Sequence, residues 1–282
     1  MAWIRIRSLI LVFTLPLLSS GAADAPSSVQ GANHAAAPDV ASSNRFYSAG
    51  PHERRFIRTL DGSTIWLNFG ASVLVAFTTD TRSVIMLSGE ALFTVKHDTQ
   101  HPFRVISGRS VAEDVGTVFS VTKKPTSSAF LVAEGEIAVF DSTRLGFDTG
   151  KIPAYMELAE FRRGERVEIS DESGARLNHS VLTDDAVSRA IAWKDGRVRF
   201  AETPLEDAVA EFNQYSQIKI QLAPDVQQRG LRASGSFALD DTDSFVSSMA
   251  HVWGLHAQPS KGPDGTPIIL LTSEPDRKHS RR

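Results

Sequence analysis

The stretch Thr64-Ile65-Trp66-Leu67-Asn68-Phe69-Gly70-Ala71-Ser72-Val73-Leu74-Val75-Ala76-Phe77 decides the fold class. Ile65, Leu67 and Phe69 alternate with Thr64, Trp66 and Asn68, and Val73, Val75 and Phe77 continue at the same period. Successive side chains of an extended chain point to opposite faces of a sheet, so each set covers one face of a half-buried strand. Gly70 divides the run into two strands, and Asp61-Gly62 supplies a turn before the first. The pattern extends outward. Gly89 separates Val84-Ile85-Met86-Leu87 from Ala91, Phe93 and Val95, and short strands follow at Phe103–Ile106, Val111–Val115, Val118–Val121, Phe130–Ala133, Ile137–Phe140 and Val167–Ile169. Turn signals recur and no helical period intervenes, so residues 46–170 read as an antiparallel β-sandwich or β-roll.

Beyond this block the period changes. Residues 171–192 form a linker, opened by the polar run Asp171-Glu172-Ser173-Gly174 and carrying a short helix over Thr183–Ile191 with Ala186, Val187, Ala190 and Ile191 apolar. A hinge between Ser170 and Ala192 is expected there. In residues 193–274, Val198 and Phe200 mark a strand. Thr203-Pro204-Leu205-Glu206 then reads as N-cap, first helical position and capping-box Glu. Leu205, Ala208, Val209, Phe212 and Tyr215 recur at helical spacing, leaving Glu206, Asp207, Glu211 and Gln214 for water. A strand Ile218–Leu222 and a strand Gly230–Leu239 follow. A second helix capped by Asp240 or Asp241 and ended by Gly254 comes next, then strands Leu255–Gln258 and Ile268–Thr272. The order β-α-β-β-α-β-β implies two helices on one face of a small mixed sheet. The fold class is mainly β, a sandwich or β-roll followed by a small α+β domain.

Residues 1–23 have the layout of a signal peptide: Arg5 and Arg7, an apolar run Ser8–Leu18, and Ser19-Ser20-Gly21-Ala22-Ala23 as a cleavage zone. About 20 apolar residues are needed to span a bilayer and Pro16 interrupts this run, so a cleaved, periplasmic product is expected, with an inner-membrane anchor facing the periplasm as the alternative. With seven residues ahead of Ser8, no cytoplasmic domain is expected there. Residues 24–45, rich in Ala, Ser, Pro and Asn, read as a flexible tether, and residues 275–282 as a basic tail with Arg277, Lys278, Arg281 and Arg282.

The chain has 282 residues, a net charge of -3 and no cysteine. That balance lacks the positive field nucleic-acid binding draws on, and it excludes disulfides, thiolate catalysis and Cys-bound zinc. No phosphate loop, dinucleotide fingerprint or nucleophile elbow is present, so no cofactor is implied. Glu90, Glu134 and Glu136 read as solvated strand positions rather than an acid/base pair, since Glu90 alternates outward from Ala91 and Phe93. His97 and His101 lie in a loop, which does not present two rings to one metal. Trp66 and Trp193 read as packing residues. The protein is not expected to be an enzyme.

The run Leu60-Asp61-Gly62-Ser63-Thr64-Ile65-Trp66-Leu67-Asn68 begins a series that resembles the FecR family in order and spacing. It continues through Arg82-Ser83-Val84, Leu87-Ser88-Gly89-Glu90-Ala91-Leu92-Phe93, Pro102-Phe103-Arg104-Val105, Gly116-Thr117-Val118-Phe119-Ser120-Val121 and Val132-Ala133-Glu134-Gly135-Glu136-Ile137-Ala138-Val139. In that family the β domain belongs to regulators that relay signals from TonB-dependent outer-membrane transporters, in iron or siderophore uptake, to extracytoplasmic-function sigma factors. The second unit is similar to the family's C-terminal part and to the secretin/TonB short N-terminal domain. The matching residues are Trp193-Lys194-Asp195-Gly196, Phe200, Thr203-Pro204-Leu205, Glu211-Phe212-Asn213-Gln214-Tyr215 and Gly235-Ser236-Phe237. Gln214 stands where the family commonly carries Arg. The resemblance implies as partners the periplasmic signalling domain of such a transporter and a membrane-bound anti-sigma component. An envelope structural module contacting a secretin-like assembly is the alternative.

The candidate docking edge is the Gly230–Leu239 strand, where Leu231, Ala233 and Gly235 alternate with Arg232, Ser234 and Ser236. The partner-binding residues expected are Leu231, Arg232, Ser234, Ser236 and Phe237, with Gln214.

Overall fold

The computed structural model describes residues 43–78, 81–114, 116–141, 156–172 and 177–273; the expected signal peptide, most of the tether and the basic tail lie outside them. The first block holds strands β1 (Ser43–Ser48), β2 (Arg55–Arg58), β3 (Thr64–Leu67), β4 (Ser72–Phe77), β5 (Arg82–Thr94), β6 (Phe103–Ser107) and β7 (Ser110–Asp114). It continues with β8 (Val118–Lys123), β9 (Ser127–Glu134), β10 (Glu136–Asp141), β11 (Met156–Arg162), β12 (Glu165–Ser170) and β13 (Leu177–Val181). The strands form two layers. One runs β1-β4-β5-β6-β7-β10-β11 and the other β2-β3-β5-β8-β9-β12-β13. Val73, Val75, Val84 and Val105 from the first layer and Ile65, Leu67, Phe119 and Val121 from the second share one core. Phe93 sits between Phe103 and Phe119 at its centre, with ring centroids 6.0 Å from the first and 5.3 Å from the second. The mainly β architecture follows the alternation read from Thr64 to Phe77.

Several details differ from the sequence reading. β1 begins at Ser43, inside the stretch assigned to the tether, because its backbone pairs with β4 from Ser43↔Phe77 to Ser48↔Ser72. The strands placed on either side of Gly89 are one, β5, which belongs to both layers. Gly89 stays inside it at φ +74°, and a Cβ there would lie 2.5 Å from the Ala71 Cα, so only glycine fits. β5 and β6 pair in parallel, so the block is not wholly antiparallel. Phe69 does not share a face with Ile65 and Leu67. β3 ends at Leu67, Asn68 turns the chain by accepting from Phe69 N and Ala71 N, and the Phe69 ring faces the second unit. Arg82 is buried at the start of β5, where its guanidinium donates to Asp61 at 2.8 Å and to the Lys96 and His101 carbonyls. Burial alone would raise the Asp61 carboxyl, but bonds from Ser63, Thr59 and Arg82 outweigh it and hold the group below the ordinary range.

The linker is structured where it is described: β13 pairs with β12, and helix α1 (Asp184–Ala190) falls within the span read as helical and is capped by Thr183. A 3-10 turn over Ala192–Asp195 leads into the second unit. This unit comprises β14 (Arg197–Pro204), α2 (Leu205–Tyr215), β15 (Lys219–Leu222), α3 (Pro224–Gln227), β16 (Arg232–Ala238), α4 (Thr242–Trp253), β17 (His256–Lys261) and β18 (Pro267–Thr272). The order β-α-β-β-α-β-β is present with one added turn, α3. Two sheets replace the single mixed sheet: β14 with β16, and β15-β18-β17. α2 buries Leu205, Ala208, Val209 and Phe212, a face that packs on β14 and on β15, while α4 packs on β16 and β17. Phe212 and Phe245 stack between the helices at 4.6 Å. Asp241 caps α4 through Ser244 N, and Gly254 ends it. Thr203 does not cap α2. It is held at the end of β14 opposite Ala233, and the helix starts one residue later.

The two blocks share apolar surface. Leu92 points out of the sandwich and is 1% exposed, buried with Trp193, Phe200 and Phe212 of the second unit and flanked by Trp66, Phe69 and Val118. Val187 of α1 packs on Leu131 and Ala133 of β9.

Candidate functional site

The junction is held first by Arg54, on the connection from β1 to β2. Its Nη1 donates to the Trp193 carbonyl at 2.9 Å and the Lys194 carbonyl at 3.3 Å, satisfying acceptors at the end of the 3-10 turn. Gly196 closes that turn at φ +75°, and a Cβ there would sit 2.9 Å from Arg54 Nη2. A larger residue would push the guanidinium off the carbonyls. The turn in turn places Trp193, which is 4% exposed, under the second unit.

Glu90 lies beside this turn. It does alternate outward from Ala91 and Phe93, but outward here is into the junction, so the expectation of a solvated carboxylate is corrected. Asn68 Nδ2 donates to Glu90 Oε2 at 3.0 Å, and Asn68 N donates to the Glu90 carbonyl. Burial pushes the Glu90 carboxyl up, and Asn68, the Trp193 indole and the Arg166 charge only partly oppose this. The Trp193 Nε1 faces that carboxylate outside hydrogen-bond geometry and has no other partner. Across the junction, α2 brings Glu211 and Tyr215. Loss of water raises the Glu211 carboxyl, and the Glu90 charge raises it further. The Tyr215 hydroxyl is pushed up to about 12 by burial, with repulsion from both carboxylates adding to it. The Tyr215 ring packs edge-on against Phe69 at 4.7 Å.

These groups line a cleft of about 530 Å³ between α2 and the outer face of β5, β8, β9 and β12. A bay of about 470 Å³ continues it past Phe69 and Gly70. The floor is built from small side chains, Ser120, Thr122 and Ala129, which is what leaves the space. Arg166 of β12 reaches the cleft half-buried and makes no hydrogen bond or ion pair among the described residues. Glu134 and Glu136 lie away from it, exposed, and Glu136 pairs with Arg162. His101 bonds Asp98 across its own loop, and no group of three or more His, Asp or Glu among the described residues is arranged to hold a metal.

The residues expected to bind a partner fall in two places. Leu231 and Ala233 are buried, while Arg232, Ser234 and Ser236 are exposed, so the alternation read for this strand holds as far as Ser234 and breaks at Gly235, which is exposed. Phe237 packs on Phe200 and Phe245. Gln214 is not with them: it lies on α2 and lines the cleft. Among the described strands β16 pairs only with β14. Leu205 N donates to the Leu231 carbonyl, so by alternation the backbones of Arg232, Ser234 and Ser236 face the other edge, where Trp253 Nε1 takes the Arg232 carbonyl at 3.0 Å. The Ser234 hydroxyl has a second role. It accepts from Glu202 N and donates to Glu202 Oε1, fixing a bulge in β14 where Glu202 sits at φ +52°. The sequence pattern carried no sign of the cleft, because Glu90, Arg166, Trp193 and Glu211 are brought together only by the docking of the two blocks.

Residues 45–138 match the FecR protein family. The FecR match thus runs from β1 into β10 and includes Arg54, Asn68, Glu90 and Leu92. Two crystal structures of a protein from Parabacteroides distasonis ATCC 8503, described as a candidate anti-sigma factor, are similar to this chain in fold. Each has a TM-score of 0.56, with identities of 20% and 19%, and covers 82% of this chain and 100% of that one. At that identity the likeness establishes the fold. No curated protein sequence matches.

Proposed function

We propose that this chain is a non-enzymatic signalling protein of the cell envelope. It receives a signal from a TonB-dependent outer-membrane transporter of iron or siderophore uptake and passes it toward an extracytoplasmic-function sigma factor. The observation that carries this reading is the FecR match over the sandwich, together with the likeness of the fold to a candidate anti-sigma factor. The order of the second unit supports it, as does the residue-level resemblance to the secretin/TonB short N-terminal domain. The basic and apolar pattern of residues 1–23 supports a periplasmic location. In this reading the β16 edge receives the transporter's periplasmic signalling domain as an added strand, with Arg232, Ser234 and Ser236 facing it.

The test is titration calorimetry of the full mature chain against the periplasmic signalling domain of a TonB-dependent transporter encoded beside it. Because Ser234 also holds the Glu202 bulge, two variants are needed. Ser234→Ala removes the hydroxyl alone, whereas Ser234→Pro also removes the edge N–H. Binding that survives Ser234→Ala and is lost with Ser234→Pro, in a chain whose circular dichroism is unchanged, supports strand addition. Equal affinities rule out this edge, and no binding by the wild-type chain to the transporter domain overturns the signalling reading.

A further inference from the structure

The cleft between the blocks holds groups that the fold itself does not satisfy. Among the described residues Arg166 is a half-buried cation with no hydrogen bond or ion pair, though its charge acts on Glu90, and Trp193 Nε1 is a buried donor that faces the Glu90 carboxylate without making a hydrogen bond. An unmade bond at a buried polar group is costly, and Trp193 Nε1 is such a group in this cavity. Both want an acceptor, and Arg166 wants one carrying negative charge. On the α2 side the need is opposite. Glu211 is exposed and makes no hydrogen bond among the described residues, and Asp207, also exposed, stands one turn before it; on the facing side Glu90 of β5 offers acceptor capacity beyond the bond from Asn68. Other cations at the rim already have partners: Arg189 pairs with Asp185, Lys124 with Glu168, and Arg197 donates to the Ser236 hydroxyl and carbonyl. The cavity is thus bipolar, with donors on β12 and the 3-10 turn and acceptors on α2 and at Glu90 of β5. Its small-residue floor and its volume of about 530 Å³ suit a small molecule.

We propose that this cleft is a binding site for a small zwitterion, of the class of a free α-amino acid or a dipeptide. The ligand's carboxylate meets Arg166 and Trp193 Nε1, and its ammonium meets Glu211 and Glu90. Such a ligand touches the sandwich and the second unit at once, so its occupancy favours the docked arrangement. The proposal does not depend on which partner the chain signals to.

The experiment uses the full mature chain and calorimetric titration with a panel of free α-amino acids and glycylglycine. Each ligand that binds is compared with its N-acetyl and its C-terminal amide derivatives. Binding by the zwitterion is expected to weaken about tenfold to a hundredfold when either end is blocked, the effect of leaving one charged hydrogen bond unmade. Arg166→Gln is expected to erase the preference of free acid over amide while keeping the preference of amine over N-acetyl. Glu211→Gln is expected to do the reverse. That crossed pattern separates contact with the ligand from mere loss of fold, and both positions tolerate an uncharged amide sterically. The proposal is overturned if nothing in the panel binds at millimolar concentration, if only simple anions or simple cations bind, or if both variants leave the preferences as they were.

Discussion

Replacing Leu92 by alanine tests whether the two blocks are docked in solution. Leu92 sits on a strand of the sandwich, yet it is 1% exposed because the second unit covers it. Leu92→Ala removes three carbons from that contact, about 0.8 kcal/mol each by transfer. Rigid neighbours such as Trp193 and Phe212 cannot fully collapse into the space, so the total is about 3 to 4 kcal/mol. For a chain of this size that lowers Tm by about 10 °C. Leu87→Ala is the internal control, since Leu87 lies on the same strand and is 49% exposed, and a change there is expected within about 0.5 kcal/mol. Differential scanning calorimetry and urea midpoints on the full mature chain read both variants. If Leu92→Ala shifts the midpoint no more than Leu87→Ala does, Leu92 is exposed in solution and the docking reasoning fails.

Glu90→Gln keeps an acceptor for Asn68 and removes a charge that burial disfavours, so the variant is expected to be more stable than wild type at neutral pH. The folded Glu90 has the higher pKa, so wild type gains stability as pH falls from that value toward the ordinary carboxylate range, and the gap between the two proteins closes there. Melting curves across pH check this, and a less stable variant at neutral pH would mean that Arg166 and Trp193 outweigh burial. Arg54→Ala loses both bonds to the 3-10 turn, at about 2 kcal/mol, and limited proteolysis is expected to cut faster between residues 171 and 192. Gly89→Ala forces a Cβ against Ala71 at φ +74°, and a loss of at least about 2 kcal/mol in urea unfolding is expected. A wild-type midpoint would show that β5 does not bend there.

Much of the sandwich was legible because strand alternation is a local property. Ile65, Leu67, Val73 and Val75 point inward as their period requires, and the helix pattern from Leu205 to Phe212 is equally direct. What was not legible depends on distant partners. Gly89 carried a break signal, but whether a glycine ends a strand or bends it is decided by Ala71 packing against it. Glu90 looked solvated because nothing near it in sequence reveals Glu211, Tyr215 and Trp193. Phe69 was assigned to the wrong face for the same reason: its ring partner, Tyr215, belongs to another unit. Thr203 had every local mark of a cap, and pairing with β16 claimed it instead.

The bend in β5 also sets a parity. Before Gly89 the inward residues are even-numbered, Val84 and Met86; after it they are odd-numbered, Ala91 and Phe93. Had the strand kept one phase, Glu90 and Leu92 would lie in the sandwich core and Phe93 would be the residue offered to its neighbour. The half-period slip turns a carboxylate outward and a leucine with it, and those two side chains are the ones the second unit meets. A single-residue insertion before Gly89 would invert the faces of β5 within the first layer while leaving its run in the second layer intact, so the two layers are read in separate frames along one strand. The surface that joins the blocks is therefore a by-product of how one strand changes frame.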